Sequence, residues 1–328
     1  MEKDKNKIKK FNEFIKDSKN ILIISHVNPD GDTLGTMCAL RSVIYNTYKK
    51  KAEMLILSKL PKAYEFLPNI REAKTLDSID KSREYDLVIT IDVASLDRIT
   101  DAQILFEKAK KTINLDHHRT NNNYGDLAFV DPHASSAGEV LYRILRKLNF
   151  NNGEICPDVA ISIYAAILTD TGGFRFENTN AEVFKIASEL TQMGVNPKEL
   201  YKKCYESKSK EIVLFQNYCV SKAIFSENDK IAYTIVYKKD IEKFNVGDDA
   251  TDGIAEALRS ISSTDVSFVV KEVDNKLSKV SMRSKNIDVS KVCSAFNGGG
   301  HKFAAGCTIK LSCEDSAKAL LEKIQEGM

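Results

Sequence analysis

Five histidines are the side chains in this sequence best suited to metal chemistry, and each lies in a polar segment with glycine, serine or aspartate nearby. They are His26, His117, His118, His133 and His301. The densest group is Asp116-His117-His118, which directly follows the mostly apolar run 112–115. Such a run indicates the end of a buried strand. Because open α/β sheets bind ligands at the carboxyl ends of their strands, this group lies where an enzyme could hold a metal ion.

A second group of candidate ligands follows the β-branched run 21–24, which is typical of a fully buried parallel strand. It consists of His26, Asp30 and Asp32 in a turn that contains proline and glycine. One imidazole and two carboxylates at an i, i+2 spacing could offer a ligand to each of two neighbouring cations. The same residue types are also ordinary in a turn with an aspartate as helix cap, so this segment alone leaves both interpretations open.

Two more apolar segments lead to a carboxylate. Asp92 ends the run 87–91, and Asp170 follows the segment 159–168, which is too long for a typical strand and predicts a buried helix. Several apolar elements that each end in a potential ligand are better explained by one site than by coincidence. For His133 a ligand and a loop residue are equally good interpretations.

Three consecutive glycines, Gly298, Gly299 and Gly300, precede His301 near the end of the sequence. The stretch is either a flexible loop or an anion site, since glycines let backbone N–H groups approach an anion closely. A loop leaves the single histidine beside the glycines unexplained, so we favour a phosphate contact.

Composition excludes several classes of protein. The 48 basic and 46 acidic residues nearly cancel, which argues against a large nucleic-acid footprint or a membrane-surface patch. No apolar run approaches the ~20 residues of a membrane helix, and the first residues are charged, which together predict a soluble cytoplasmic protein. The seven cysteines are scattered without a Cys-x-x-Cys pair, so we expect reduced thiols.

The 328 residues are enough for two domains with separate cores. The pattern predicts an α/β domain over 1–194, with a parallel sheet and helices on both faces, then a helical, lysine-rich linker over 195–222. A smaller α/β domain is predicted over 223–328. Its strands include 266–270 and 279–284, joined by a hairpin turn near Asn275.

Taken in order, these motifs resemble those of the DHH phosphoesterase superfamily, and the last one resembles its DHHA1 branch. The motifs are His26-x-x-x-Asp30-x-Asp32, Asp92, Asp116-His117-His118, Asp170 and Gly298-Gly299-Gly300-His301. The two-domain length is similar to that of the bacterial oligoribonuclease/pAp phosphatase (nanoRNase) group, whose near relatives hydrolyse cyclic di-AMP or its linear product pApA. RecJ-type exonucleases carry further nucleic-acid-binding domains, and family II pyrophosphatases lack the Gly-Gly-Gly-His motif.

The resemblance implies a DHH catalytic domain, a DHHA1 substrate-binding domain and an active site in the cleft between them. The resemblance also implies two divalent cations that share Asp92 as a bridging ligand. One cation would be held by His26, Asp30 and Asp92, and the other by Asp32, Asp92, His117 and Asp170. Carboxylate and imidazole ligands without a thiolate suit Mn²⁺ first and Mg²⁺ second. The resemblance also implies catalytic roles for His118, His301 and Arg283, and substrate binding by Arg283, Gly298, Gly299, Gly300 and His301.

The expected activity is metal-dependent hydrolysis of very short oligonucleotides to nucleoside 5′-monophosphates, together with dephosphorylation of pAp. The alternative is a cyclic di-AMP or pApA phosphodiesterase. The expected partners are short oligonucleotides or small nucleotides, with no membrane and no tracking of long nucleic acids, and a homodimer is among the expected assemblies. A nucleotide sensor without activity would require a lost ligand, and none is lost. An RNA-binding module without catalysis would leave the first four motifs without a purpose.

Overall fold

The computed structural model describes residues 2–150 and 155–326, and it contains two compact units, Met1–Ser207 and Lys208–Met328. The segment 195–222, predicted as a helical linker, is divided between them. Its first helix, Pro197–Tyr205, belongs to the first unit, and its second, Lys210–Ser221, to the second.

The first unit is built on a six-stranded sheet in which all neighbouring strands are parallel. The strands are β1 Ile21–Ile24, β2 Ala52–Ile56, β3 Lys74–Thr75, β4 Leu87–Ile91, β5 Thr112–Asp116 and β6 Leu127–Val130. Their spatial order is β3-β2-β1-β4-β5-β6. The chain therefore winds outward from β1 in one direction, then returns to β4 and winds outward in the other. The switch point lies between β1 and β4, where the loops after the two strands diverge and leave a crevice.

Helices cover both faces of this sheet, as predicted from the apolar strands. They are α1 Glu2–Asp17, α2 Gly31–Tyr48, α3 Gln103–Glu107, α4 Ala137–Lys147, α5 Pro157–Asp170, α6 Ala181–Gln192 and α7 Pro197–Tyr205, with short 3₁₀ turns at Lys62–Tyr64, Ile70–Glu72, Leu76–Ser78 and Leu96–Ala102. In β1, Ile21 and Ile23 pack into the core formed with α2, α4 and α5, whereas Leu22 and Ile24 pack into the core on the α3 side. Because successive strand residues face opposite sides, every residue of a strand covered on both faces is buried, and in β1 all four are apolar.

The contact between α2 and α5 is close enough to require a glycine. A Cβ on Gly35 would lie 2.6 Å from the carbonyl oxygen of Ser162, well inside van der Waals contact. The two helices begin and end, respectively, at candidate ligands, since α2 follows Asp30 and α5 ends at Asp170. Their tight packing therefore sets the distance between these carboxylates.

The second unit contains a mixed six-stranded sheet of order β11-β12-β10-β9-β8-β7, in which only β8 and β9 are paired in parallel among the described strands. Its elements are α8 Lys210–Ser221, β7 Ile224–Phe225, β8 Ile231–Val236, α9 Lys238–Phe244, a 3₁₀ turn Asp248–Thr251, α10 Ile254–Arg259, β9 Val266–Asp274, β10 Leu277–Ser284, α11 Val289–Ser294, β11 Gly299–His301, β12 Ala304–Ile309 and α12 Cys313–Glu326. The hairpin predicted around Asn275 joins β9 and β10. No strand was predicted at the glycine run, but the structure pairs Gly299–His301 with β12.

Asp86 connects the beginning of β4 to the segment before β1. Its Oδ2 accepts hydrogen bonds from the backbone N–H groups of Lys19 and Asn20, both at 2.9 Å, and its Oδ1 accepts one from Lys110 Nζ at 2.9 Å. The Asn20 amide, Lys110 and the Lys19 amide together hold the pKa of the Asp86 carboxyl well below its ordinary value of 3.8.

We expect Asp86→Asn to lower the free energy of unfolding at neutral pH by about 1–2 kcal/mol, because the charged acceptor is lost while the side-chain shape is kept. The folded-state pKa lies below the unfolded one, so this stabilisation is present above pH 3.8 and is lost as the pH falls below it. Urea unfolding of both proteins at neutral pH and in acid measures the difference. Asp77→Asn, at an exposed carboxylate, is the control. An unfolding difference that stays constant into acid would contradict this role.

Candidate metal centre

The carboxyl ends of three neighbouring strands bring His26, Asp92 and His117 together at the switch point. His26 Nε2 lies 3.4 Å from Asp92 Oδ2, and His117 Nε2 lies 3.5 Å from Asp92 Oδ1. All three side chains are buried. The cluster of ligand atoms thus lies at the switch point between β1 and β4, where the strand order predicts a crevice.

The ligand atoms form two groups that share Asp92. His26, Asp30 and Asp92 each offer an atom within 4.8 Å of the others, and Asp32, Asp92 and His117 do the same. Asp170 joins the second group, with its Oδ2 3.6 Å from His117 Nε2. The structure therefore brings together all six residues predicted as metal ligands, in an arrangement that allows two neighbouring cations with Asp92 between them.

Backbone carbonyls fix the orientation of both imidazoles. His26 Nδ1 lies 2.7 Å from the carbonyl oxygen of Val27, and His117 Nδ1 lies 3.3 Å from that of Ala134. Since a carbonyl oxygen only accepts, each Nδ1 carries the proton in these contacts. Each Nε2 is then unprotonated and faces the carboxylates. This tautomer is the one that can bind a metal ion through Nε2.

Asp32 is held by the beginning of a helix far along the chain. Its Oδ2 accepts from the backbone N–H of Ala137 at 2.7 Å, and its Oδ1 accepts from that of Gly138 at 3.0 Å. These N–H groups belong to the first turn of α4, where the helix dipole favours negative charge. Burial, with the nearby charges of Asp92 and Asp170, nevertheless raises the pKa of Asp32 well above its ordinary value.

The residues present fit divalent cations on two observations. Asp92 Oδ1 is buried and has no hydrogen-bond partner among the described residues, although such atoms are normally satisfied. Burial first, with Asp30 and Asp92 adding to it, also raises the pKa of Asp170 to about 7. Buried carboxylates that repel one another and include an unsatisfied oxygen favour a bound cation. The oxygen and imidazole donors match Mn²⁺ or Mg²⁺.

Asp116 lies outside both metal groups described above and orients His118 instead. Its buried Oδ1 is 2.7 Å from His118 Nδ1, and its Oδ2 accepts from Asn121 Nδ2 at 2.6 Å. Burial by itself lowers the pKa of His118, but Asp116 and Asp92 outweigh it and raise the pKa to about 9. Asp116 and Asp92 therefore both favour the protonated form of His118, whose Nδ1 lies 3.4 Å from Asp92 Oδ1.

Three supporting residues were not identified from the sequence. Thr33 Oγ1 lies 2.7 Å from His26 Nε2 and 3.0 Å from Asp92 Oδ2. Asn178 Nδ2 donates to Asp170 Oδ2 at 3.2 Å, and Asn121 supports Asp116. A signal for the last one existed, because Asn114 is a polar residue inside a buried strand and its Oδ1 accepts from Asn121.

His133 does not join these groups. It is exposed, and its backbone N–H donates to Asp131, so it is a loop residue in this part of the described chain.

In the second unit, packing accounts for two of the three glycines. A Cβ on Gly298 would lie 2.3 Å from the carbonyl oxygen of Gly306, and one on Gly300, whose φ is +142°, would lie 2.5 Å from that of Ala304. Gly299 has no atom within 4 Å of its Cβ position. Steric packing within the hairpin therefore requires glycine at the first and third positions, while the middle one is open to a ligand.

Arg283 and His301 lie on the same face of the second sheet. Both pair with Ala304, Arg283 from β10 and His301 from β11, and directly paired residues share a face. Arg283 Nε donates to Glu256 Oε1 at 2.7 Å, and its Nη1 donates to the carbonyl oxygen of Met282. Burial raises the pKa of Glu256, but the charge and hydrogen bond of Arg283, a backbone hydrogen bond and the charge of Arg259 together outweigh it and lower the pKa. The guanidinium is thus held in one orientation.

Comparison with known proteins agrees with this architecture. The DHH family, N-terminal domain, matches residues 20–167, and the DHHA1 domain matches residues 228–327. The bifunctional oligoribonuclease and PAP phosphatase NrnA of Bacillus subtilis is 32% identical over 291 residues, which are 88% of this chain and 89% of that protein. The chain belongs to the DHH phosphoesterase family. It is therefore a phosphoesterase of the hydrolase class, as the motifs predicted.

Two further proteins match this chain over nearly its whole length. The probable bifunctional oligoribonuclease and PAP phosphatase NrnA of Streptococcus mutans is 31% identical over 89% of this chain and 90% of that protein. An exopolyphosphatase-related protein from Bacteroides fragilis has the same fold, with a TM-score of 0.91, 24% identity and coverage of 98% and 96% of the two chains. Within the described residues, no helix has the length and apolar character needed to span a bilayer.

In a calorimetric titration we expect the wild-type protein to bind two equivalents of Mn²⁺. The Asp30→Asn variant should bind one equivalent, and the Asp92→Asn variant should bind none. Asp92 offers atoms to both groups, whereas Asp30 contributes to one and, as asparagine, still caps α2. Asp97→Asn, which changes an exposed carboxylate nearby in sequence, should bind like wild type. Two equivalents bound by Asp92→Asn would refute a shared ligand.

Proposed function

We propose that this protein is a metal-dependent phosphodiesterase that hydrolyses very short oligonucleotides to nucleoside 5′-monophosphates and also dephosphorylates pAp. The observation that carries the proposal is the pair of ligand groups that share the buried Asp92 at the switch point of the first unit. The similarity to proteins named oligoribonuclease and PAP phosphatase supports the substrate class.

The proposed metal ligands are those of the two groups. One cation would be held by His26, Asp30 and Asp92, and the other by Asp32, Asp92, His117 and Asp170, with Mn²⁺ as the first choice and Mg²⁺ as the second. When bound, two such cations supply an activated water and neutralise charge on the phosphoryl oxygens. The protein's own contribution includes backbone contacts that orient three of the six side chains: Val27 holds His26, Ala134 holds His117, and the first turn of α4 holds Asp32.

His118 would act on the substrate. Its Nδ1 is held by Asp116, and the carboxylates of Asp116 and Asp92 raise its pKa and so favour the protonated imidazole. A charged hydrogen-bond donor fixed beside the ligand cluster suits a phosphoryl oxygen on which negative charge develops. Asn121 holds Asp116 in turn, so the orientation of His118 is set by a chain of two hydrogen bonds.

In the DHHA1 domain, Arg283, His301 and the backbone of Gly298, Gly299 and Gly300 would bind the substrate's phosphate. The guanidinium is fixed by Glu256, and Gly299 is exposed with open space around its Cβ position. A guanidinium and exposed N–H groups are favourable anion donors. The ion pair with Glu256 is also a sufficient structural reason for an arginine here, and the following variants separate the two roles.

We expect Arg283→Ala to lower kcat for a dinucleotide about a hundredfold while the affinity for Mn²⁺ is unchanged, because the change removes a charge-stabilising donor that is not one of the proposed metal ligands. His301→Ala should act in the same direction. The matched control is Glu256→Gln, which removes the partner of Arg283 and leaves the guanidinium. Equal losses in Arg283→Ala and Glu256→Gln would show that the arginine serves only the ion pair.

The distribution of basic residues favours short substrates. The dense group Lys49, Lys50 and Lys51 follows the C-terminus of α2, whereas Asp30 and Asp32 lie at its beginning. An 18-residue helix is about 27 Å long, so these lysines are far from the ligands. Lys50 also donates to the backbone carbonyls of Ile15 and Ser18 at 3.1 and 2.7 Å. These lysines therefore do not extend the site into a long basic groove.

We expect a dinucleotide or trinucleotide to be hydrolysed faster than a strand of about 20 nucleotides, with binding only mildly sensitive to salt. A substrate held through two phosphates gives a slope of log K against log salt of about −1.4 for single strands. The measurement is kcat/KM with Mn²⁺ for a graded series of oligoribonucleotides, pAp, pApA and cyclic di-AMP. Preference for cyclic di-AMP or pApA would favour the alternative function. Faster cleavage of the long strand with a steep salt dependence would place this protein with the RecJ-like exonucleases.

A further inference from the structure

The turn 171–176, which directly follows Asp170 at the end of α5, has a strained backbone. Gly172, Gly173 and Phe174 have consecutive positive φ angles of 57°, 73° and 63°. For a bulky residue such as phenylalanine this conformation costs about 1–3 kcal/mol, and it persists only where the surrounding structure imposes it. Such strain is concentrated at ligand-binding sites, so the role of this turn requires an explanation beyond chain reversal.

Hydrogen bonds and packing fix this turn to the end of α5. The backbone N–H of Gly173 donates to the carbonyl oxygen of Leu168 at 2.7 Å, and Arg175 Nε donates to that of Gly172 at 2.7 Å. The Phe174 ring packs edge-on against Tyr164 with a centroid distance of 5.9 Å. The turn is therefore a rigid extension of the helix that presents Asp170.

Two tyrosines of α7 lie against this turn. A Cβ on Gly173 would lie 3.2 Å from Tyr201 Cε2 and 3.7 Å from Tyr205 Cε2. Tyr205 is half-buried, and its hydroxyl donates to the carbonyl oxygen of Leu168 at 2.9 Å. The Tyr201 ring packs on the Tyr205 ring with a centroid distance of 4.9 Å, yet 39% of the Tyr201 residue is exposed. One side of Tyr201 is thus supported, and the rest faces solvent.

Arg175 follows two residues after Gly173, the residue that lies against both rings. Arg175 is exposed, and the only side-chain hydrogen bond that it makes among the described residues is the one from Nε to Gly172. Its charge acts on the Tyr205 hydroxyl, whose pKa burial raises and Arg175 partly lowers. An exposed ring on a fixed support, with a guanidinium nearby, is the combination that binds a base and its phosphate.

We propose that Tyr201, supported by Tyr205 and with Arg175 on the adjoining turn, is a stacking platform for one nucleobase of a short oligonucleotide. This inference rests on the proposed function. The nucleobase is favoured over a protein partner because the platform continues from the ligand cluster. Gly173 is three residues from Asp170, so their Cα atoms are at most about 11 Å apart. Every base has a π face, so such a platform binds without sequence preference. Arg175 would bind the phosphate that adjoins the stacked base.

The test compares variants of the full chain on a dinucleotide and on two analogues that each lack one base. Tyr201→Ala should raise KM for the dinucleotide about tenfold, in the lower part of the range for a base stacked on an aromatic ring, with kcat nearly unchanged. Tyr201→Phe keeps the ring and should resemble wild type. Tyr45→Ala, which removes a tyrosine that is 58% exposed on α2, is the matched control. For one of the two analogues, wild type and Tyr201→Ala should have equal KM.

The analogues also distinguish a binding role from a folding defect. A misfolded Tyr201→Ala variant would lose activity on all three substrates alike, and that result, like an unchanged KM for the dinucleotide, would overturn the stacking platform. If wild-type protein with Mn²⁺ hydrolyses none of the nucleotides, the proposed function is wrong, and the platform is rejected with it. If the wild-type protein is active and Tyr201→Ala raises KM only for substrates that contain the stacked base, the proposed function and the stacking platform are both supported.

Discussion

Mutual repulsion of buried carboxylates is the constraint on which the first unit depends. Asp32 and Asp92 are buried and the half-buried Asp170 lies beside them, so their like charges repel and each carboxylate loses hydration. The N–H groups in the first turn of α4, which donate to Asp32, offset part of this cost. The parallel sheet and the close packing of α2 on α5 provide the remaining free energy that holds the groups together. A bound divalent cation would convert this repulsion into coordination, so the packing keeps the site ready for metal.

The sequence predicts the ligand cluster because each ligand follows an apolar element whose type is clear from its own residues. The parallel sheet follows from fully apolar runs such as 21–24, and the rule for strand ends then places His26, Asp92 and His117 along one edge. The supporting contacts were not predictable in this way. Asp32 meets Ala137, a contact 105 residues apart that depends on how α4 packs on α2. Asn178 lies in a segment with ordinary turn composition, where nothing local distinguishes a supporting amide from a loop residue, and the one sign of Asn121 was the polar Asn114 inside a buried strand.

The glycine run shows how one pattern can satisfy two requirements. The sequence favoured an anion site at Gly298, Gly299 and Gly300, but the structure adds a steric reason for the first and the third, which pack against the β12 strand. Only Gly299 lacks such a reason. Arg283 is similar, since an ion pair with Glu256 and a phosphate contact would both select arginine. Sequence alone does not distinguish an anion-binding glycine from one required by packing. The packing requirement arises from the pairing of β11 with β12, and no strand was predicted at β11.

The end of α5 gives a physical account of how substrate length could be selected. The carbonyl oxygen of Leu168 accepts from both Gly173 N–H and the Tyr205 hydroxyl, and Asp170 lies two residues further along the same helix. Any movement of this helix end would therefore move a proposed metal ligand and the proposed base platform together. The distance between the cleaved phosphate and the stacked base would then be fixed by one rigid element. In such a site, substrates of a few nucleotides gain all the available contacts, and a longer strand pays additional ordering entropy without gaining further contacts.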